Sequence, residues 1–349
     1  MAIMNRTRPW YLDPHKIASA LRSMRALLFL SDEHLQRFLD SYDVFSMEWE
    51  ERLADSPEDY RETSRKVADF YSVLNLLCAI GQIEKMYIPP RLDAAKGVHE
   101  NQLLFERMLA EDLRVGPGDT VLELGCGRGG VALHVHSLTG AALVGFNVDE
   151  SQIASANDFA RRRRVDGACR FHVRDLNDVP YPLEDGSVAA VFEIGAICYC
   201  TDLGRLFEEV HRILRPGGRL ALLDIYMSDR YDPTDPEHVR ILRETKPLVG
   251  LLRALHEDDY LRAFDRSGLK VVRNENPSID GLQVPLIESL SGYFNGAMRV
   301  VDVLTRLRLL PAHLSVLFTK FNEGGEAFIA FDRGRLGTIA QYIVVEKPG

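Results

Sequence analysis

From Gly116 onward, short apolar runs alternate with longer amphipathic stretches. TVLELG, AALVGFN, CRFHVRD, SVAAVFEIG and RLALLDIY have strand length, and LKVVRNEN and TIAQYIVVEKP look like two more strands. VALHVHSLTG, DESQIASANDFARRRR and LGRLFEEVHRIL lie between them and carry apolar residues at helical spacing. Such alternation predicts a parallel sheet joined by right-handed crossovers. The expected fold is α/β, with a Rossmann-like, seven-stranded, mostly parallel sheet. Ahead of it, SDEHLQRFLDSYDVF opens on a cap-like Ser31 and reads as helix. RKVADFYSVLNLLCAIG continues helical to Gly81, Pro89 and Pro90 break the chain, and KGVHENQLLFERMLAEDL resumes as an amphipathic helix. About residues 281–335, with the apolar run MRVVDVLTRLRLL, fall between the last two strands. The pattern divides the chain into a helical capping region, 1–97, a core, 98–275, and a C-terminal region, 276–349, that includes the last strand. Insertions on such cores surround the crevice at the carboxyl ends of the strands, so both additions are expected to enclose a substrate.

Composition narrows the function. The chain has 349 residues, 46% hydrophobic and 27% charged, as in ordinary globular proteins. A net charge of −9 gives no basic footprint for nucleic acid. No apolar run approaches the ~20 residues that span a bilayer, and MAIMNRTRPWYLDPHK lacks the apolar segment of a secretory signal. A cytoplasmic location is expected, with peripheral membrane contact left open because an apolar substrate would make it useful. The five cysteines are an odd count, which suits a reducing compartment. Cys198 and Cys200 have no second pair, so no metal site is expected.

The strongest motif is Glu123-Leu124-Gly125-Cys126-Gly127-Arg128-Gly129-Gly130, between a strand and a helix. Its glycines allow a tight turn and close approach to a ligand, and the helix N-terminus suits a carboxylate. Similar glycines serve nicotinamide cofactors. Three features favour another ligand: Glu123 precedes the glycines and suits an ammonium group, Asn147 ends the second strand where a ribose partner belongs, and Asp175 ends the third, placed to accept from an adenine amino group. Val173 to Leu176 would flank the ring. Together these residues resemble the class I methyltransferases, which implies S-adenosyl-L-methionine as cofactor; Leu214-Arg215-Pro216-Gly217-Gly218 resembles another segment of that class.

After residue 60 the chain resembles the sterol C24-methyltransferase family. VLELGCGRGGVALHVHSLTGAALVGFNVDESQI is similar to its cofactor loop and the segment carrying Gln152. Val98-His99-Glu100, Ala196-Ile197-Cys198-Tyr199, the stretch Tyr231 to His238 (YDPTDPEH), and the tail from LLPAHLSV onward are similar to further family segments. There are departures. Cys78 to Ile83 stand where the family has the aromatic YEYGWG, and only Gly81 is kept. Gly195 and Tyr199 replace a glutamate and a histidine, while Glu193 lies two residues earlier on the same strand face. Asp224 stands where the family has the acid of a YEW segment.

The resemblance implies C-methylation of an alkene carbon of an apolar isoprenoid, a sterol or triterpenoid side chain. Such chemistry needs the double bond about 3 Å from the methyl group, π faces or carboxylates to stabilise a cation, and a base. Candidate catalytic groups are Glu193, His99, Glu100, Asp224, Tyr199 and Tyr226. Glu193 is favoured as charge stabiliser or base, with a cofactor contact or a cap on a nearby helix N-terminus as its other reading. His99 and Glu100 read equally as an ordinary helix-surface pair. Tyr71, Ile80, Met86 and Tyr87 are candidate pocket walls, as are Tyr226, Tyr293 and Phe294, although core packing explains any single one. Arg161 to Arg164 read as a solvated face. The alternatives are a prenyl diphosphate or prenylated natural product as acceptor, a small polar O- or N-acceptor, and a non-catalytic cofactor-binding protein. The resemblance also implies self-association.

Overall fold

The computed structural model describes residues 14–53, 57–80 and 85–349. Its centre is a sheet of β1 (Thr120–Leu124), β2 (Ala142–Asn147), β3 (Cys169–Val173), β4 (Val188–Ile194), β5 (Leu214–Met227), β6 (Lys270–Glu275) and β7 (Gly337–Glu346), in the order β3-β2-β1-β4-β5-β7-β6. The five strands from β3 to β5 pair in parallel; β7 runs antiparallel to both neighbours. Six of the seven residues of β4 are buried, as a strand covered on both faces requires. The RPGG stretch forms no separate turn. It is taken into β5 as a bulge, where Leu214 pairs with Val188 but Arg219 pairs with Ala190.

The period-two alternation of the strands divides two cores. Leu122, Val191 and Leu222 face α8 (Leu203–Ile213) and α10 (Glu257–Ser267). Val121, Ala190 and Ala221 face α5 (Val98–Leu113), α6 (Gly130–Thr139) and α7 (Glu150–Arg163). Strand order reverses between β1 and β4, which opens a crevice at their carboxyl ends.

Helices α1 (Pro14–Leu28), α2 (Asp32–Asp40), α3 (Met47–Leu53) and α4 (Pro57–Ile80) form a cap with its own aromatic core, in which Phe38, Phe45 and Phe70 are buried. Ser31 is the N-cap of α2, accepting from His34 N at 3.2 Å. The helix stops at Asp40, and Ser41–Phe45 continues as a 3-10 turn. Between β6 and β7 lie α11 (Val284–Arg306), α12 (Ala312–Asn322) and α13 (Gly325–Arg333). Helix α12 packs into the cap core through Leu314 and Leu317, and α13 packs on α9 (Pro236–Val249). YDPTDPEH builds the start of α9: Asp235 accepts from Glu237 N, Asp232 accepts from Thr234 N at 2.8 Å, and Asp232 N donates to His238 Nδ1.

A buried ion pair joins cap to core. Lys246 of α9 is fully buried and pairs with Glu50 of α3, whose other oxygen accepts from Ala254 N at 2.8 Å. Removing the carboxylate strands a buried ammonium, whereas removing the lysine leaves a partly exposed carboxylate that water can reach. Glu50→Ala is therefore expected to lose about 3–5 kcal/mol in urea unfolding, and Lys246→Met clearly less. Equal losses would contradict this account.

Candidate active site

A cavity with about 1170 Å³ of open space, mouth included, lies at the carboxyl ends of β1, β2 and β4 and is roofed by α4. At one end is the loop after β1. Gly125 and Gly127 adopt φ of +70° and +50°, and a Cβ at Gly125 would collide with Ala196. A Cβ at Gly129 would lie 2.8 Å from Phe171, so the loop is held tightly against the sheet. Glu123 is buried under this loop. Its Oε2 has no hydrogen-bond partner among the described residues, and burial, reinforced by Glu106, pushes its carboxyl well above the usual range. An orphaned acidic oxygen at the cavity wall fits an ammonium ligand, and the α6 N-terminus fits a carboxylate.

Along the wall, Asn147 donates to Gln152 Oε1 at 2.7 Å, and Gln152 donates to Asn75 of α4 at 2.8 Å. Asn75 also donates to Asp149, the α7 N-cap, at 3.0 Å. Asp175 is fully engaged: Oδ1 accepts from Asn177 N and Nδ2 at 2.8 and 2.9 Å, while Oδ2 accepts from Tyr60 and, at 3.4 Å, from Ser64. An adenine amino group would have to share or displace the α4 hydroxyls.

The opposite end is apolar and aromatic. Val67 and Tyr71 of α4, Ile194, Tyr199 and Leu252 line it. Tyr199 donates to Gly250 O at 2.7 Å, so Tyr71, 3.1 Å from the Tyr199 oxygen, is the donor of that second bond. Burial raises both phenols, Tyr71 to about 12 and Tyr199 well above its ordinary value.

The structure thus brings Glu123, Gly125, Cys126, Gly127, Asn147 and Gln152 to one cavity. Asp175 and Leu176 join them, as do the predicted pocket residues Tyr71, Met86 and Tyr87 and the catalytic candidate Tyr199. Other residues lie elsewhere. Gly129 is the N-cap of α6, behind the loop. Glu193 does not line the cavity: β4 ends at Ile194, Gly195 turns the chain at φ +70°, and the carboxylate folds beneath that turn to accept from Ala196 N and Ile197 N. Asp224, equally buried, accepts from Tyr260 at 2.8 Å. Tyr226 is buried in the core, stacked on Tyr260 with ring centroids 4.3 Å apart. His99 and Glu100 are exposed on the first turn of α5, where Glu100 accepts from Gly97 N at 2.9 Å. Ile80 packs against the cap core, and Phe294 is half-buried on α11. The side chain of Tyr293 and residues Gly81 to Ile83 lie outside the described residues. Sequence reasoning missed Tyr60, Ser64, Asn75 and Leu252; only the amphipathic pattern of α4 hinted at its part.

Residues 122–222 match the family model described as a methyltransferase domain. The chain is 26% identical over 282 residues to sterol 24-C-methyltransferase of Saccharomyces cerevisiae, covering 79% of this chain and 70% of that one. It is 28% identical over 255 residues to cycloartenol-C-24-methyltransferase of Arabidopsis thaliana, covering 70% and 75%. Among solved structures, geranyl diphosphate C-methyltransferase from Streptomyces coelicolor A3(2), in complex with Mg²⁺, geranyl-S-thiolodiphosphate and S-adenosyl-L-homocysteine, matches with a TM-score of 0.62 at 21% identity, over 84% of this chain and 99% of that one. The [4+2]-cyclase SpnF matches with a TM-score of 0.63 at 20% identity, over 82% and 97%. These two likenesses show a common fold.

The chain carries a class I methyltransferase domain. It is similar, over most of its length, to the sterol 24-C-methyltransferases. Its cofactor is S-adenosyl-L-methionine. Among the described residues of this methyltransferase, no group of three His, Cys, Asp or Glu is placed to hold a metal ion, and no helix is long and apolar enough to cross a membrane.

Burial raises both Glu193 and Asp224, and the neighbouring Asp224 carboxylate raises Glu193 further. A carboxyl raised on folding favours the native state below its unfolded value, near 4.5, and loses that contribution as pH rises through the folded value. Glu193→Gln is therefore expected to gain thermal stability relative to the parent as pH increases from 5 to 8. A difference independent of pH would contradict the shift.

Proposed function

We propose that this methyltransferase transfers a methyl group to an alkene carbon of an apolar isoprenoid, the side chain of a sterol or related triterpenoid. The carrying observation is the cavity itself: a polar end suited to the cofactor continues into an apolar, tyrosine-walled end. The extended similarity to sterol 24-C-methyltransferases supports the same reading.

Glu123 would hold the methionyl ammonium, and the loop Gly125, Cys126 and Gly127 with the α6 N-terminus its carboxylate. Asn147 and Gln152 would meet the ribose hydroxyls, Asp175 the adenine amino group, and Leu176 a face of the ring. When bound, the cofactor supplies an electrophilic methyl group on a sulfonium. Tyr71 and Tyr199 are kept as neutral phenols by burial and are fixed in place by their hydrogen bonds, so they offer π faces to positive charge developing on the acceptor carbon. Glu193 and Asp224 lie beneath the Ala196 turn and add negative potential from below whenever the pair is ionised. Met86 and Tyr87 close the side wall. In this reading residues 98–275 serve the cofactor, while 1–97 and 276–349 enclose and buttress the acceptor site. His99 and Glu100 serve the start of α5.

A prenyl diphosphate is the second reading, favoured by Arg128 and Arg174 at the cavity wall. Methyl-labelled S-adenosylmethionine, offered with cycloartenol, desmosterol, squalene and prenyl diphosphates with and without Mg²⁺, separates the two. Label is expected on a sterol side-chain carbon. Tyr199→Leu is expected to lower kcat roughly 30-fold through loss of the π face, and Tyr199→Phe to retain most of it. Label confined to a shorter isoprenoid would overturn the sterol reading, and equal rates for the two variants would overturn the role of Tyr199.

A further inference from the structure

The apolar residues of the cap do not all point inward. On α1, Ser23 and Leu27 face the cap core, yet Ile17, Leu21 and Met24 are exposed at helical spacing on an adjoining face, followed by Phe29 at 79% exposure. On α11, Val300, Val303 and Leu307 form a second outward stripe, and Leu309, 67% exposed, extends it into the following turn. The C-terminal end of α1 and the start of α12, which follows the α11 stripe, meet at one end of the cap: His313 Nε2 donates to Leu27 O at 2.7 Å, and Leu27, Leu30, Leu314 and Leu317 share one buried cluster. An apolar face between flanking cations is the pattern of a helix lying in a membrane interface.

Charge separates this surface from the rest of the molecule. The chain carries −9 overall. Arg22, Arg25, Arg299, Arg306 and Arg308 nevertheless edge the two stripes, all exposed and none in an ion pair with another described residue. Helix α1 has no acidic residue, and Asp302, the only acid in 299–309, is engaged by Ser315. A second copy docked through the same patch in two-fold symmetry would bring arginines against arginines. An anionic bilayer satisfies both the apolar stripes and the cations.

We propose that the exposed face of α1 and the α11–α12 corner form a docking surface for an anionic phospholipid bilayer, with the arginines on headgroups and the apolar stripes in the interface. Behind the patch, the cluster of Leu27 and Leu314 also holds Val67 and Leu252, which line the cavity. The docked face therefore lies one packed layer from the apolar end of the site.

The test is flotation of the full chain with vesicles of phosphatidylcholine, with and without one-third phosphatidylserine, at low and high salt and with no acceptor present. Because it reads binding alone, its failure and the failure of the acceptor assignment are separable. Binding is expected on the anionic vesicles and is expected to weaken in high salt. Arg306→Gln with Arg308→Gln is expected to lower affinity roughly 30-fold, and Leu307→Glu with Leu309→Glu to abolish it, with circular dichroism and S-adenosylmethionine affinity unchanged. No vesicle binding by the parent chain, binding indifferent to these four positions, or a dimer that Leu307→Glu with Leu309→Glu dissociates in place of vesicle binding would each overturn the proposal.

Discussion

The site depends on how tightly the loop after β1 is pressed against the sheet. Gly145 leaves space that a Cβ would fill, 2.8 Å from Cys126 Sγ; Gly129 leaves space for Phe171; and Gly125 sits where only hydrogen clears Ala196. Close packing on three sides fixes the backbone N–H groups at the α6 N-terminus and traps Glu123 below them. A buried carboxyl with one unsatisfied oxygen costs the fold stability. That cost is understandable if a cation offsets it, which links the packing of the loop to cofactor chemistry.

The second constraint is that cofactor and acceptor ends share a roof. Helix α4 reaches Asp175 through Tyr60 and Ser64, Asp149 and Gln152 through Asn75, and the apolar end through Val67 and Tyr71. Its position is therefore sensed at both ends. Among the described residues, the α11–α13 insertion contributes none of the lining side chains and acts from behind, through Leu314 and Leu317. The ion pair of Glu50 with Lys246 fastens the same assembly to α9.

The core was legible because its signals are local. Strand length, the glycine pattern and residues at strand ends point to Glu123, Asn147 and Asp175, and these three line one cavity. Tyr60 and Asn75 were not legible, because each meets its partner across more than 70 residues and the pairing depends on where α4 lands. Glu193 shows the limit of period-two reasoning. Its parity on β4 is as the alternation requires, but the left-handed turn at Gly195 folds the chain over it and converts a cavity-facing position into a buried cap. Tyr226 stands in the RLALLDIY run, and the stacking of Tyr260 on its ring decides its place in the core.

Calorimetric titration of Glu123→Gln with S-adenosylmethionine tests the ammonium anchor most directly. Removing the charge while keeping the shape is expected to weaken cofactor binding by about 1.5–3 kcal/mol, the worth of a hydrogen bond to a charged group, with unfolding stability unchanged or improved because a buried carboxyl is neutralised. Undiminished affinity in a folded variant would contradict the anchor and the link between loop packing and cofactor recognition.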